Sequence, residues 1–164
     1  MTDEARKNAF SLGDNKVQYC TFWISNRLFG VDILDVKEIF PEVVVTPVFH
    51  APKEVRGYVN IRGQIYLILD LRLILSQDEK PVDDDSCLVL FKNSIGEPFG
   101  VLVDKIGDVV LAGFDQLEKR KNHLPEGDGK EDFIECICKM DKALLTVLNA
   151  VKILQYIYSA KEEG

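Results

Sequence analysis

Four sets of residues in this chain have the types and spacing to do chemistry. Asp70 and Arg72 close the apolar run Ile65-Tyr66-Leu67-Ile68-Leu69-Asp70-Leu71-Arg72, where an aspartate could serve as general base and an arginine could hold an anion. An aspartate leaving a strand beside an arginine more commonly forms an ion pair or a helix cap. Cys136-x-Cys138 would put two thiols on one strand face, and a metal site would need Cys20 and Cys87 to converge on them. Small buried thiols in apolar segments explain all four cysteines more simply. His50 and His123 sit in loop-like contexts, and the chain has no Gly-x-Ser-x-Gly elbow for them to serve. The acidic runs Asp83 to Asp85 and Glu126 to Asp132 lack the alternating oxygen ligands of a calcium loop. Neither a Walker A loop nor a Gly-x-Gly-x-x-Gly fingerprint occurs. No catalytic residue, cofactor or metal is therefore expected.

The segment Gly57-Tyr58-Val59-Asn60-Ile61-Arg62-Gly63-Gln64-Ile65-Tyr66-Leu67-Ile68-Leu69-Asp70-Leu71-Arg72 carries a different kind of signal. It reads as two strands joined by a tight turn at Asn60, Arg62 and Gly63, with glycine supplying positive φ. A long basic side chain at a rigid corner is well placed to pair with a carboxylate or to meet a partner.

The elements that must position these groups read mostly as strands. Val17 to Ile24 is rich in β-branched and aromatic residues, and Ser25-Asn26 can close a hairpin onto Leu28 to Val31. Asp32, with Asp35 three residues on, predicts a short capped helix that ends at Pro41, with Ile33, Val36 and Phe40 on one face and Leu34 and Glu38 on another. Val43 to Val45 is strand-like. The polar stretch Asp78 to Ser86 divides two strand-rich halves. Beyond it come strands at Cys87 to Phe91, Phe99 to Val103 and Ile106 to Leu111, then a charged loop over 114–131. A last hairpin turns at Asp141-Lys142, and Asn149 is a candidate N-cap for a final helix turning Val151, Leu154 and Ile157 or Tyr158 inward. About ten short strands with few helices indicate small antiparallel barrels or a sandwich. No sequence repeat between the halves is visible.

At 164 residues the chain is long enough to bury its own core. A net charge of −7 argues against nucleic acid or an anionic membrane as the main partner. The first ten residues contain no signal-peptide h-region, and no apolar run approaches the roughly 18 residues of a membrane helix. With its thiols read as reduced, the chain is expected in the cytoplasm.

The pattern Gly57-x-x-Asn60-x-Arg62-Gly63-x-Ile65-x-x-Ile68-x-Asp70-Leu71-Arg72 resembles the hallmark of the CheW-like domain family. Phe29-Gly30-Val31-Asp32-Ile33-Leu34-Asp35-Val36-Lys37-Glu38-Ile39 is similar to that family's early strand-to-helix signature. Phe99-Gly100-Val101-Leu102-Val103-Asp104 with Gly107-Asp108-Val109, and Leu145 to Leu154 with Asn149, are similar to its later strands and closing helix. Leu67 stands where the family often carries proline.

The resemblance implies a mainly β fold: two five-stranded SH3-like β-barrel subdomains packed around a shared core, with a few short helices including a C-terminal one. The expected layout is a flexible tail over 1–16, a single domain over 17–157 and a tail over 159–164. Within the domain, one subdomain spans about 24–77, the other about 86–148 plus the first strand, and the last helix covers 150–158. The implied function is a free-standing, monomeric adaptor. It would couple the cytoplasmic tips of methyl-accepting chemoreceptors to the regulatory domain of the chemotaxis histidine kinase, without inserting into the membrane. By the same resemblance the receptor groove and its support comprise Ile33, Val36, Glu38, Ile39, Gly57, Asn60, Arg62, Gly63 and Gly100, with Glu38 and Arg62 pairing across the first barrel. A scaffold for a motility or developmental array is the alternative, and a small barrel enzyme using Asp70 and Arg72 the remote one.

Overall fold

In the computed structural model, which describes residues 16–75, 80–119 and 133–163, the described chain forms eleven strands, two α-helices and three one-turn 3-10 segments. Residues 1–15, His123 and the run Glu126 to Asp132 lie outside the described residues. Hairpins form where turn chemistry predicts them. Strands β1 (Lys16–Ile24) and β2 (Arg27–Asp32) meet at Ser25 and Asn26, whose φ values of 48° and 69° suit a tight two-residue turn. Strands β4 (Val55–Ile61) and β5 (Gln64–Asp70) meet in the same way at Arg62 and Gly63, with φ of 52° and 84°.

The helix expected after Asp32 is a correction. The Asp32 carboxylate does cap a turn, accepting the Leu34 N–H at 2.9 Å, but that turn covers only Ile33–Asp35. Val36–Phe40 is strand β3, paired with β6 (Cys87–Phe91). A bulge between Val36 and Glu38 breaks the two-residue alternation of β3. Val36 and Ile39, three apart, therefore reach the same core and imitate helical spacing.

The strands build two sheets. The five-stranded sheet runs β3-β6-β7-β5-β4, with β7 at Phe99–Val103 and a parallel β5–β7 pair at its centre. The six-stranded sheet runs β8-β1-β2-β11-β10-β9, where β8 is Lys105–Gly113, β9 Leu117–Lys119, β10 Ile134–Lys139 and β11 Leu144–Leu148. Its centre is a parallel β2–β11 pair. One sheet thus has six strands where five were expected, and neither ladder closes into a ring by full strand pairing.

The division of the chain at 78–86 does not divide the sheets. β6 and β7 follow it yet join the sheet of β3, β4 and β5, while β1 and β2 precede it and join the sheet of β8 to β11. Both sheets share one pairing pattern: an edge strand, a hairpin, a parallel step and a second hairpin. β3, β6–β7 and β5–β4 fill these places in one, and β8, β1–β2 and β11–β10 in the other. A helix follows the second hairpin in each, α1 (Leu71–Ile74) after β5 and α2 (Ala150–Glu163) after β11. The corresponding strands β2 and β7 both contain Phe-Gly-Val, at Phe29 to Val31 and Phe99 to Val101. An internal repeat does exist, but one copy is circularly permuted, which hides it from a linear scan.

Three apolar clusters follow from this layout. Ile61, Tyr66, Ile68, Leu88, Leu90 and Leu102 fill the five-stranded sheet. Tyr19, Ala112, Cys136, Cys138, Leu145 and Val147 fill the six-stranded one. The largest, with Phe22, Phe29, Phe91, Phe99, Phe133 and Ile153 among its members, is the shared core, built from strands of both sheets. Asn149 caps α2 as expected, accepting the Lys152 N–H at 3.1 Å, and Ile153, Leu154 and Ile157 enter the shared core. Val151 is exposed, and the helix runs to Glu163, past the expected end at 158.

Candidate partner-docking site

Arg62 faces Glu38 across the seam of the five-stranded sheet. β3 and β4 are the two outermost strands of that sheet, and the turn after β4 carries Arg62. Its Nη1 and Nη2 groups donate to the two carboxylate oxygens of Glu38, each at 2.7 Å, a bidentate fork that links one margin of the sheet to the other. The hydrogen bond from Arg62 holds the Glu38 carboxyl below its ordinary range, and the same contact raises the Arg62 guanidinium. Arg62 adopts a positive φ that suits glycine or asparagine better, so the contact helps to justify an arginine there. Lys37, next to Glu38, donates to the Tyr66 hydroxyl at 3.0 Å and adds a second link from β3 to β5. Sequence reading anticipated the Glu38–Arg62 pair but set Glu38 on a helix; it lies on β3.

A few residues away the chain seals the same seam with backbone. Val43 to Val45, expected as a strand, forms none, but Thr46 and Tyr58 exchange hydrogen bonds of 2.8 and 2.9 Å. The extension of β3 therefore touches β4. Gly57 makes this possible: a Cβ there would lie 1.9 Å from the Thr46 carbonyl oxygen. Asn60 accepts the Gly63 N–H at 2.9 Å and fixes the turn. Gly100 is buried, where a Cβ would meet Leu90 at 2.7 Å, so its place is within the sheet and not on a surface. Gly57, Asn60, Gly63 and Gly100 thus shape the frame that presents Arg62.

Ile33, Val36 and Ile39 lie at the junction of the two sheets, half-buried, with Val36 and Ile39 packed on the shared core. Register shows what joins them. Val109, Cys20 and Val31 stand abreast on β8, β1 and β2, and one step along Leu111 stands abreast of Gln18. Residues two apart share a strand face, so Val109, Leu111, Cys20 and Val31 belong to one surface. Cys20 and Val31 vanish into the shared core, whereas Val109 and Leu111 remain 55% exposed each. An apolar strip emerges at the sheet junction. Val109 was noted in the sequence only as part of a motif and Leu111 only as a strand end. Two-residue alternation along β8, with apolar residues on both faces, was the available signal.

Asp70 and Arg72 are fully buried and committed to one another. Arg72 Nε and Nη2 donate to the two Asp70 oxygens at 3.0 and 2.9 Å, and Asp70 also accepts the Arg72 backbone N–H to cap α1. Arg72 Nη1 lies 3.5 Å from Asp104, which accepts the Ser25 N–H at 2.9 Å. This network ties the end of the five-stranded sheet to the β1–β2 turn of the other. Such a sealed pair leaves no face for a substrate. The thiols divide between two clusters, Cys20 and Cys87 in the shared core and Cys136 and Cys138 inside the six-stranded sheet, so the four do not converge. Burial pushes Cys87 and Cys136 up to about 11. Among the described residues no three histidine, cysteine or carboxylate side chains gather as a metal site, and no helix is long and apolar enough to cross a membrane.

Comparison with known proteins places this geometry. Residues 18–157 match the family described as CheW-like domain. The chain is similar to the chemotaxis protein CheW of Treponema pallidum, at 27% identity over 96% of this chain and 91% of that protein. A similar relation holds to CheW of Bacillus subtilis, at 26% identity over 81% and 83%. With CheW of Klebsiella aerogenes the identity is 30%, over 61% of this chain and 60% of that protein. The crystal structure of the scaffolding protein TtCheW from Thermoanaerobacter tengcongensis superposes with a TM-score of 0.72 at 23% identity, covering 81% of this chain and 88% of that one.

Proposed function

The chain belongs to the CheW-like domain family, and on that premise we propose that it is a non-enzymatic adaptor coupling chemoreceptor tips to the chemotaxis histidine kinase. The observation that carries this reading is the exposed strip of Val109 and Leu111, on the face that Cys20 and Val31 continue into the shared core. A receptor tip is a helical hairpin, and an amphipathic helix lays its apolar face into such a surface through residues spaced three and four apart. The Glu38–Arg62 fork and the Thr46–Tyr58 contact hold the barrel margin next to Val36 and Ile39, so they act by keeping the strip in shape. A regulatory domain of the kinase with the same architecture would meet a barrel end through small apolar patches. Weak contacts suffice where many adaptors engage one array, because linked sites raise effective concentration. The adaptor works on the cytoplasmic side and reaches the membrane only through its receptors.

Co-sedimentation with receptor signalling fragments and kinase, with stimulated kinase activity as readout, tests this reading. Wild-type protein co-sediments and stimulates. A Val109→Lys, Leu111→Lys variant loses at least tenfold in receptor binding with an unchanged unfolding midpoint, since both side chains are already exposed. Failure of the wild type to bind either partner, or undiminished binding by the variant, would sink the proposal.

A further inference from the structure

A cavity of about 320 Å³ opens beside the interior of the five-stranded sheet. Val43, Val45, Val55 and Val82 supply its apolar walls, and Val43 and Val45 also pack on the cluster beneath. Its charged liners are Lys53 and Arg56, both cations, in a chain of net charge −7. Glu42, Glu54 and Asp83 adjoin lining residues in sequence, yet none of them lines the cavity. Arg56 Nη1 lies 3.8 Å from Asp70, whose carboxylate also pairs with Arg72. Lys53 is exposed, with no ion-pair partner among the described residues.

We propose that this cavity binds an anionic amphiphile, with a carboxylate held by Lys53 and Arg56 and a short apolar chain along the valines. Mouths of β-barrels are common sites for small ligands, and apolar walls with few polar groups are their usual lining. At roughly 30 Å³ for a water-sized group, the space admits about ten heavy atoms, the size of octanoate. Guanidinium and ammonium groups select a carboxylate over a neutral head through charge-assisted hydrogen bonds. Val45 immediately precedes Thr46, which seals the seam against Tyr58. Occupancy would stiffen the barrel margin that carries Glu38 and Arg62, giving the protein a small-molecule input of its own.

Amide chemical shifts of the full chain, titrated with octanoate below its micelle concentration, test the proposal. Octanol, octylammonium and acetate separate chain from charge. Octanoate is expected to give saturable shifts centred on Val43, Val45 and Val55. Octanol and acetate bind at least tenfold more weakly, and octylammonium not at all. Lys53→Gln weakens octanoate about tenfold and leaves octanol unchanged, and Val82→Trp, which fills the cavity from a partly exposed position, abolishes octanoate binding in a protein that still shows a folded spectrum. No saturable binding, equal affinity for octanol and octanoate, or shifts centred on Val109 and Leu111 would overturn it. So would octanoate binding that survives both substitutions.

Discussion

Replacing Gly57 by alanine tests how the five-stranded barrel is held shut. Two terms add. At φ of 140° an L-residue is strained by about 1–2 kcal/mol. The new Cβ would fall 1.9 Å from the Thr46 oxygen and 2.6 Å from the Thr46 carbonyl carbon, both backbone atoms that cannot swing aside. The segment must therefore move off β4 and give up the two Thr46–Tyr58 hydrogen bonds, each worth about 0.5–1.5 kcal/mol net. The stiffer unfolded chain offsets about 0.4–1 kcal/mol of this. A loss of about 1–4.5 kcal/mol remains, a large share of a typical total of about 5–15 kcal/mol. With a urea slope near 2 kcal/mol per molar, the unfolding midpoint should fall by about 0.5–2 M. Hydrogen exchange at the Thr46 and Tyr58 amides should quicken as well. Gly63→Ala is the control: its φ is also positive, at 84°, but a Cβ there meets nothing within 4 Å, so strain alone acts and about 1 kcal/mol or less is lost. If Gly57→Ala costs no more than Gly63→Ala, with both amides still protected, the closure argument is wrong.

Other outcomes follow from the same structure. Arg62→Glu sets two carboxylates against each other across the seam and should weaken receptor co-sedimentation while far-ultraviolet circular dichroism stays unchanged; exchanging Glu38 and Arg62 in a double variant should restore binding. Because the Glu38 carboxyl titrates below its ordinary value, its contribution is complete above about pH 4.3 and is lost only as pH falls through the depressed value. A carboxyl-carbon NMR titration showing Glu38 at or above the ordinary value would contradict the fork. Arg72→Met takes the short contacts from the buried Asp70 and leaves it the 3.8 Å contact to Arg56, and should destabilise by about 3 kcal/mol in urea unfolding, with Asp70→Asn combined with Arg72→Met costing less than the two single changes added. Cys87 and Cys136, held as protonated thiols by burial, should resist a disulfide reagent at pH 8 in the native protein and react after unfolding; rapid native labelling would refute their burial.

Local chemistry was legible wherever the decisive interaction lies close in sequence. The Ser25-Asn26 and Arg62-Gly63 turns, the Asp32, Asp70 and Asn149 caps and most strands follow from residue types within a few positions of one another. The docking site was only half legible. Arg62 stood out as an odd turn residue and its pairing with Glu38 came through family resemblance. Val109 and Leu111 did not stand out, because their exposure depends on which strands flank β8.

What the sequence determined by itself is the inventory: short strands, tight turns, an acidic chain, and a motif specific enough to assign a family. Tertiary structure decided the rest. Lys37 bulges β3 only because β6 lies against it, which turns an apparent helix into a strand. Sheet membership crosses the polar divide at 78–86 because β2 pairs with β11 and β5 with β7, contacts between residues tens of positions apart. Asp70 and Arg72 became a buried brace through Asp104 and the β1–β2 turn. Periodicity and capping are properties of neighbours along the chain, whereas pairing partners, seams and exposed strips depend on long-range contacts that local pattern does not encode.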